Sequence, residues 1–233
     1  MLRTPGLPPV RLPPPLRKGG CSLLEALGMR MTSREAGSTE LPPETLSTLL
    51  WAAFGINRES AAFSRPGRTA PSASNSQETD LYVVMKRGAY LYRPEADGLE
   101  PVMQGDFRRM TVCNGSHRAP VHIVYVADLS RYDLGPGQPD PDIGDPEVQK
   151  SYYFVDAGFI AQNVHLFAAS EGLAAWFHNC DRQGLAEALH LRPCQLVLFA
   201  QSVGYPARAV GSGRGGSPGR AGSGSVQDGV MPL

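Results

Sequence analysis

A long stretch of helical periodicity, from about Val148 to Ser170, constrains the fold of this chain more than any other feature. Its apolar side chains lie around most of the helix circumference: Phe154, Ala157, Phe159, Ile160, Ala161, Val164, Leu166, Phe167 and Ala168. The polar residues that interrupt them are Asp156, Gln162, Asn163 and His165. A helix that is apolar nearly all round is buried on several sides. We therefore expect this helix either at the centre of a large domain or in a subunit interface.

The other periodic segments are shorter and mix helices with strands. Helices are predicted within residues 21–30, from Pro43 to a cap at Gly55, and over Asp181–His190 with Asp181 as the N-cap. Strands or extended segments are predicted at Asp80–Arg87, Ala89–Arg93, Leu99–Met103, Val121–Ala127, Gly172–Phe177 and Gln195–Val203. The nearly continuous apolar run over Val121–Ala127 is typical of a central strand that is buried on both faces. Because helices and strands do not alternate regularly, we predict the α+β class.

Both ends of the chain lack the apolar periodicity of folded segments. Residues 1–19 are basic and rich in proline, and residues 211–233 are rich in glycine and serine. We predict that both are disordered tails around one folded domain over residues 20–210. The whole chain has 22 basic and 22 acidic residues, so the two basic tails leave the domain with a negative net charge. This balance argues against nucleic acid as a partner.

The cysteines and the apolar runs indicate the compartment. Cys21, Cys113, Cys180 and Cys194 are widely spaced and contain no CxxC pair, which favours reduced thiols over disulfides or a zinc site. No apolar run reaches the roughly 18 to 20 residues that cross a bilayer, and prolines break the N-terminal segment where a secretory signal needs a continuous apolar run. We expect a cytoplasmic protein with no membrane partner and no metal site.

Most motifs that carry chemistry lack the context they need. Residues 211–216 satisfy GxGxxG, but Ser217-Pro218 cannot begin the helix that a dinucleotide-binding loop requires. There is no GxSxG elbow for a nucleophilic serine. His178 and Cys180 form a pair without a second pair at ligand spacing, which is weak evidence for a metal site.

Two short segments are better candidates for a binding site. Arg30, Thr32 and Arg34 alternate just after a predicted helix, so an extended backbone would present two guanidinium groups and a hydroxyl on one side. Arginine forks bind phosphate with two hydrogen bonds. The second segment, residues 70–77, is a run of short polar side chains directly before a strand. It is either a surface turn or a loop that contacts a planar polar ligand.

Taken together, six motifs resemble the nitroreductase family of flavoproteins and are most similar to its short SagB-type oxidoreductase branch. The motifs, in the family's order, are Arg30-x-Thr32-x-Arg34, Pro71-Ser-x-x-Asn75-Ser-Gln77, Ala119-Pro120, Asp156-Ala-Gly-x-x-x-Gln162-Asn163, Gly172-Leu173 and Val203-Gly-Tyr-Pro206. The resemblance covers roughly residues 21–207. It implies a central, mostly antiparallel sheet flanked by helices, and a domain-crossing homodimer with FMN at each of two subunit interfaces.

The resemblance also implies which residues bind the cofactor. Arg30, Thr32 and Arg34 would hold the FMN phosphate and ribityl chain, and Arg208 would add a phosphate contact. From the facing subunit, the loop would contact the ribityl chain and the ring system through Pro71, Ser72, Ser74, Asn75 and Gln77. The segment at Asn179 and Cys180 would present a backbone N–H to flavin N5. Three residues depart from the family pattern: Met31, Ala36 and Cys180, the last near a position that is often glycine. These departures predict weaker FMN binding than is usual for the family.

The function that the resemblance implies is ping-pong hydride transfer from NADH or NADPH, through flavin N5, to a small electron-poor acceptor such as a nitroaromatic or a quinone. No catalytic side chain is expected, because the cofactor carries the redox chemistry. Two alternatives stay open. One is azoline oxidation on a modified peptide, as in the SagB branch; the other is flavin binding without turnover.

Overall fold

The computed structural model describes residues 6–61, 65–115, 117–133 and 141–207. A seven-stranded sheet forms its centre, and every neighbouring pair of strands is antiparallel. The strand order is β1-β6-β5-β4-β7-β9-β8. These strands are β1 (Val10–Arg11), β4 (Thr79–Met85), β5 (Gly88–Arg93), β6 (Gly98–Gln104), β7 (Val121–Asp128), β8 (Ala174–His178) and β9 (Gln195–Gly204). A separate two-stranded sheet pairs β2 (Ile56–Arg58) with β3 (Gly67–Arg68).

Four α-helices in the described part of the chain accompany the central sheet. They are α1 (Leu23–Met29), α2 (Pro43–Phe54), α3 (Pro146–Ser170) and α4 (Arg182–Ala188). Local signals set their ends: Ser22 and Glu25 form a capping box before α1, α2 begins at Pro43 and is capped at Gly55, and the Asp181 side chain caps α4. The predicted α+β class and the central antiparallel sheet are confirmed.

Strand β7 lies in the middle of the sheet, and all eight of its residues are buried. Its side chains alternate between two apolar cores, as the pleat of a strand requires. Ile123 and Tyr125 face the core that contains α2 and α3, whereas Val124 and Val126 face the core on the α4 side. The prediction of a central strand buried on both faces is confirmed.

Helix α3 contacts α1, α2 and the sheet, and its buried residues recur at the i, i+3 and i+4 spacing of one broad helix face. One stripe stays uncovered. Val155 and Phe159 are 51% and 45% exposed, and Gln162, also exposed, continues the same face at helical spacing. The long helix is confirmed, and its apolar character extends onto the surface of the single chain.

The N-terminal segment differs from its prediction. Residues 1–19 were expected to be disordered, but Val10 pairs with Leu99 of β6, and Leu7 and Leu12 are buried. Proline is compatible with this position because an edge strand does not need every backbone N–H for pairing. The expectation is therefore wrong for residues 6–19, and the predicted tail over residues 211–233 lies outside the described residues.

Candidate functional site

The segment that carries Arg30, Thr32 and Arg34 runs beside β8, which is an edge strand of the sheet. Its backbone is fixed at several points. The Arg30 N–H donates to the Ala26 carbonyl at 2.8 Å and ends α1, and the Ser33 N–H donates to the Ala175 carbonyl of β8 at 3.0 Å. Further along, Ala36 forms an isolated bridge with Pro206, after the end of β9. Tertiary hydrogen bonds therefore hold this segment in place.

The three predicted side chains of this segment lie at the surface. Thr32 and Arg34 are exposed, and Arg30 is half-buried. The Arg34 guanidinium lies 5.7 Å from the centroid of the Trp176 ring, a cation–π contact that leaves its N–H donors available. Within the described residues, neither Arg30 nor Arg34 forms an ion pair with a carboxylate. Two guanidinium groups without an acidic partner form a suitable site for an anion.

His165 of α3 is a further residue near Arg30; in the sequence it is only a polar interruption of an apolar helix. Its side chain is buried, and its Nδ1 has no hydrogen-bond partner in the described part of the chain. Burial lowers the pKa of His165, and the charge of Arg30 lowers it further. The signal in the sequence was a lone histidine on an apolar helix face, which by itself does not separate a ligand-binding residue from a core residue.

The loop over residues 71–77 forms a tight turn around a 3-10 helix, Ala73–Asn75. Ser74, Asn75 and Gln77 have φ angles of 49°, 52° and 52°. This left-handed backbone costs a residue other than glycine on the order of 1–2 kcal/mol. The turn is held by Ser72, whose Oγ accepts a hydrogen bond from the Gln77 N–H at 3.0 Å.

Gln77 has an internal role in this loop. Its Oε1 accepts a hydrogen bond from Arg68 Nε at 2.7 Å, and its Nε2 donates to the Pro66 carbonyl at 2.6 Å and to Asn75 Oδ1 at 2.9 Å. The Gln77 carbonyl accepts from the Arg131 guanidinium at 2.5 Å. These bonds occupy the amide group within the chain, so Gln77 shapes the loop in this structure.

Three of the predicted loop residues line one cavity. Pro71, Ser72 and Asn75 surround it together with Arg58 and Arg68, and its volume is about 450 Å³. Arg30, Thr32 and Arg34 do not line this cavity. Within one chain, the loop and the arginine segment are therefore separate parts of the candidate site.

The separation between the loop and the arginine segment can be measured along helix α3. Asp156 contacts the loop, whereas His165 lies near Arg30. Their separation of nine positions corresponds to about 14 Å along the helix axis. The loop and the arginine segment thus lie at different levels of the same helix.

Two buried carboxyl groups lie beneath the loop, and the sequence analysis did not identify them as a pair. Asp156 Oδ2 accepts a hydrogen bond from the Ala73 N–H at 2.9 Å. Glu78 Oε2 accepts one from Ser76 Oγ at 2.6 Å. The two carboxyl groups also lie close enough to affect each other's charge, and a hydrogen bond to Glu78 contributes to the raised pKa of Asp156. Burial raises the pKa of Asp156 to about 7, and the adjacent charge of Glu78 contributes to the shift.

The remaining predicted positions follow β8. Asn179 is exposed, and its Oδ1 accepts a hydrogen bond from Arg182 at 3.1 Å. Cys180 is buried in the core on the α4 side, and burial raises the pKa of its thiol to about 12. Its side chain is therefore not available to a ligand, and its backbone does not adopt the left-handed conformation that favours glycine. The backbone N–H of this segment stays a prediction as a flavin contact, and Arg208 lies outside the described residues.

His178, which the sequence paired with Cys180, has polar partners at both ring nitrogens. Nδ1 lies 3.0 Å from the Asn179 carbonyl, and Nε2 lies 2.7 Å from Ser202 Oγ. Its ring also lies against that of Trp176, with the centroids 4.3 Å apart. These contacts account for His178 as a structural residue.

Among the helices of the described residues, none is long and apolar enough to cross a membrane.

The family model and the solved structures that match this chain point to the same family. A family model described as "Nitroreductase family" matches residues 27–205. The crystal structure of a putative nitroreductase from Ralstonia eutropha JMP134 is 32% identical to this chain, with a TM-score of 0.76, and the match covers 90% of this chain and 96% of that chain.

Two more distant structures share the fold. One is the NADPH:FMN oxidoreductase of Vibrio harveyi complexed with NAD+, with 21% identity, a TM-score of 0.55, and coverage of 80% of this chain and 69% of that chain. The other is the Escherichia coli microcin synthetase complex with truncated pro-MccB17 bound, with 17% identity, a TM-score of 0.57, and coverage of 88% and 77%.

Proposed function

Because this chain belongs to the nitroreductase family over residues 27–205, we propose that it is an FMN-dependent oxidoreductase that uses NADH or NADPH. The acceptor is a small electron-poor molecule, such as a nitroaromatic or a quinone, and the two half-reactions follow each other in a ping-pong order. When bound, FMN supplies the hydride chemistry at N5, and the residues of the chain bind and orient it. No side chain of the protein is assigned a catalytic role.

The observation that carries this proposal is the pair of arginines beside β8. Arg30 and Arg34 lack an acidic partner within the described residues, and the backbone that carries them is fixed by tertiary hydrogen bonds. A phosphate dianion would supply the missing acceptors, and exposed Thr32 would add a hydroxyl donor. We assign the FMN phosphate and ribityl chain to these three residues, with Arg208 as a further phosphate contact.

We assign the second half of the FMN site to the loop over residues 71–77 of the facing subunit. Pro71, Ser72 and Asn75 line a cavity that is open to a ligand, and the short side chain of Ser74 permits close approach. In this proposal the partner's loop completes the site at the arginine segment, because the two parts lie apart within one chain. Asn179 and Cys180 would contribute backbone groups near flavin N5.

A homodimer would cover the apolar surface that a single chain leaves open. Val155 and Phe159 form an exposed stripe on α3, and α1 presents Leu23, Leu24 and Leu27 to solvent. Contiguous exposed apolar residues indicate an interaction surface. We propose that α3 and α1 contact a second copy of the chain. The four cysteines are free, which favours a reducing compartment, and we propose the cytoplasm.

A flavin titration tests the proposal. The purified chain, stripped of any bound flavin, is expected to bind FMN with quenching of flavin fluorescence, and anaerobic NADH or NADPH is expected to bleach the visible absorbance. Arg30→Ala removes a charge-assisted contact of about 1.5–3 kcal/mol, so its Kd for FMN should rise about 10- to 150-fold. Arg87→Ala, which alters an exposed arginine in the β4–β5 turn, is the matched control.

The outcomes separate the candidate functions. Absence of FMN binding by the full chain would refute the central proposal, and equal FMN affinity of Arg30→Ala and Arg87→Ala would remove Arg30 from the phosphate site. Binding without bleaching by either nicotinamide would identify a flavin-binding protein without turnover. Oxidation of an azoline-containing peptide in place of nitroaromatic reduction would favour the SagB-type activity, for which the fold shared with the microcin synthetase complex is the supporting observation.

A further inference from the structure

Two carboxyl groups meet beneath the loop over residues 71–77, and both side chains are buried. Asp156 of α3 is 4% exposed, and Glu78, directly before β4, is 0% exposed. They come from segments 78 residues apart, and they lie close enough for a hydrogen bond to Glu78 to contribute to the raised pKa of Asp156. A hydrogen bond between two carboxyl groups needs a proton on one of them.

Each member of the pair also holds a different part of the loop. Asp156 accepts a hydrogen bond from the Ala73 N–H, at the start of the 3-10 helix. Glu78 accepts hydrogen bonds from the Ser76 hydroxyl at 2.6 Å and the Thr79 hydroxyl at 3.2 Å, at the end of the loop. The pair therefore joins both ends of a loop in which three residues other than glycine adopt positive φ. Such a conformation persists only where the surroundings hold it.

The other charged and titratable groups nearby act on the loop or on the same pair. The phenol of Tyr132, in the 3-10 helix after β7, lies within electrostatic range of both carboxyl groups and of the Tyr153 phenol on α3. Arg65 and Arg131 donate to the backbone carbonyls of Ser76 and Gln77. Within the described residues, Glu78 is the charged group that acts on Asp156. Burial and this charge both raise the pKa of Asp156.

We propose that Asp156 and Glu78 share one proton, and that this proton holds the loop over residues 71–77 in the conformation that binds the flavin. Asp156 and Glu78 are thus positioning residues for the cofactor site. This inference rests on the proposed function for its flavin part, whereas the proton-dependent order of the loop is a property of the chain itself.

The direction of the pH effect follows from the sharing of one proton. Below about pH 7, Asp156 is protonated and can donate its proton to Glu78. When the pH rises above that value, two buried negative charges repel each other and the loop loses its support. If FMN binds only when Asp156 is protonated, the apparent Kd rises about 25-fold between pH 6.5 and pH 8.5.

Amide substitutions reproduce the one-charge state at every pH. In Asp156→Asn, the side-chain carbonyl can still accept from the Ala73 N–H while the amide donates to Glu78. Glu78→Gln places the amide on the other partner. Both variants are expected to bind FMN with an affinity that changes little between pH 6.5 and pH 8.5. Glu147→Gln makes the same exchange at an exposed position in the first turn of α3 and is the matched control.

The first measurement is the FMN affinity of all four proteins across this pH range. The FMN phosphate itself ionises near pH 6, and this effect is common to all of them. A pH-dependent Kd in the wild type and Glu147→Gln, together with a nearly constant Kd in the two pair variants, supports the inference. Equal pH profiles of the wild type and Asp156→Asn overturn it.

The second measurement needs no ligand. Amide hydrogen exchange over residues 71–77 is compared between the flavin-free wild type and Asp156→Asn at the same pH, which removes the intrinsic pH dependence of exchange. At pH 8.5 the wild type is expected to exchange faster in this loop, and at pH 6.0 the two proteins are expected to match. Equal exchange at both pH values contradicts the shared proton. If no variant binds FMN, the proposed function fails, and the exchange measurement still decides whether the proton orders the loop.

Discussion

Asp156→Asn is also expected to change the stability of the chain in a pH-dependent way. Burial beside Glu78 raises the pKa of Asp156 from 3.8 to about 7. The folded protein therefore binds this proton more tightly than the unfolded chain does. As the pH rises from about 4 to about 7, the carboxyl group progressively destabilises the fold, and above pH 7 the destabilisation is constant.

The size of the change in unfolding free energy follows from the pKa shift of Asp156. One pKa unit corresponds to 1.36 kcal/mol, so a shift of about three units gives a ceiling of about 4 kcal/mol at pH 8. Asparagine occupies nearly the same volume and keeps the hydrogen bonds to Ala73 and Glu78, so it removes the penalty without opening a cavity. We expect Asp156→Asn to exceed the wild type by up to about 4 kcal/mol in unfolding free energy at pH 8, and to match it within about 1 kcal/mol at pH 4.5.

Urea unfolding of the flavin-free proteins at pH 4.5 and pH 8 measures this difference. With m-values of about 1–3 kcal/mol/M, the full effect moves the unfolding midpoint by at least about 1 M. The urea unfolding midpoint of Glu147→Gln should equal that of the wild type at both pH values. A difference between Asp156→Asn and the wild type that is the same at both pH values refutes the shared proton, because an ordinary packing effect does not depend on pH in this way.

Three other perturbations test separate features. His165→Leu removes a buried imidazole whose Nδ1 lacks a partner in the described chain, and it is expected to raise the unfolding free energy by about 1–3 kcal/mol in thermal denaturation. Iodoacetamide at pH 8, followed by mass spectrometry, is expected to label exposed Cys113 and leave Cys180 unlabelled, because burial raises the thiol pKa of Cys180 to about 12. The double substitution Val155→Glu and Phe159→Glu places charges on the exposed stripe of α3 and is expected to convert a dimer into a monomer in light scattering.

Each of these tests has an outcome that contradicts its reasoning. A lower melting temperature of His165→Leu would mean that the imidazole is satisfied in solution. Comparable labelling of both cysteines would show that the α4-side core opens readily. A wild type that is already monomeric would exclude α3 as the subunit interface.

The sequence by itself determined the elements that depend on neighbouring residues. The periodicity of α3, the leucine spacing of α1, the apolar run of β7 and the end signals of α2 and α4 indicated these elements to within a few residues. Helices and strands are set largely by local spacing and by end signals. The order of motifs along the chain also identified the family. By contrast, the proline-rich segment over residues 6–19 was misjudged, because its edge strand forms only when β6 is present to pair with it.

Only the tertiary structure decided which side chains meet. It placed Cys180 in the core, engaged the Gln77 amide within its own loop, and left Arg30 and Arg34 without acidic partners in the described chain. It also brought Asp156 against Glu78. No local pattern contains that last contact, since the two carboxyl groups are 78 residues apart and each alone resembles an ordinary charged residue. Their shared burial comes from packing α3 against the start of β4, and that packing raises the pKa of Asp156 above its value in an unfolded chain.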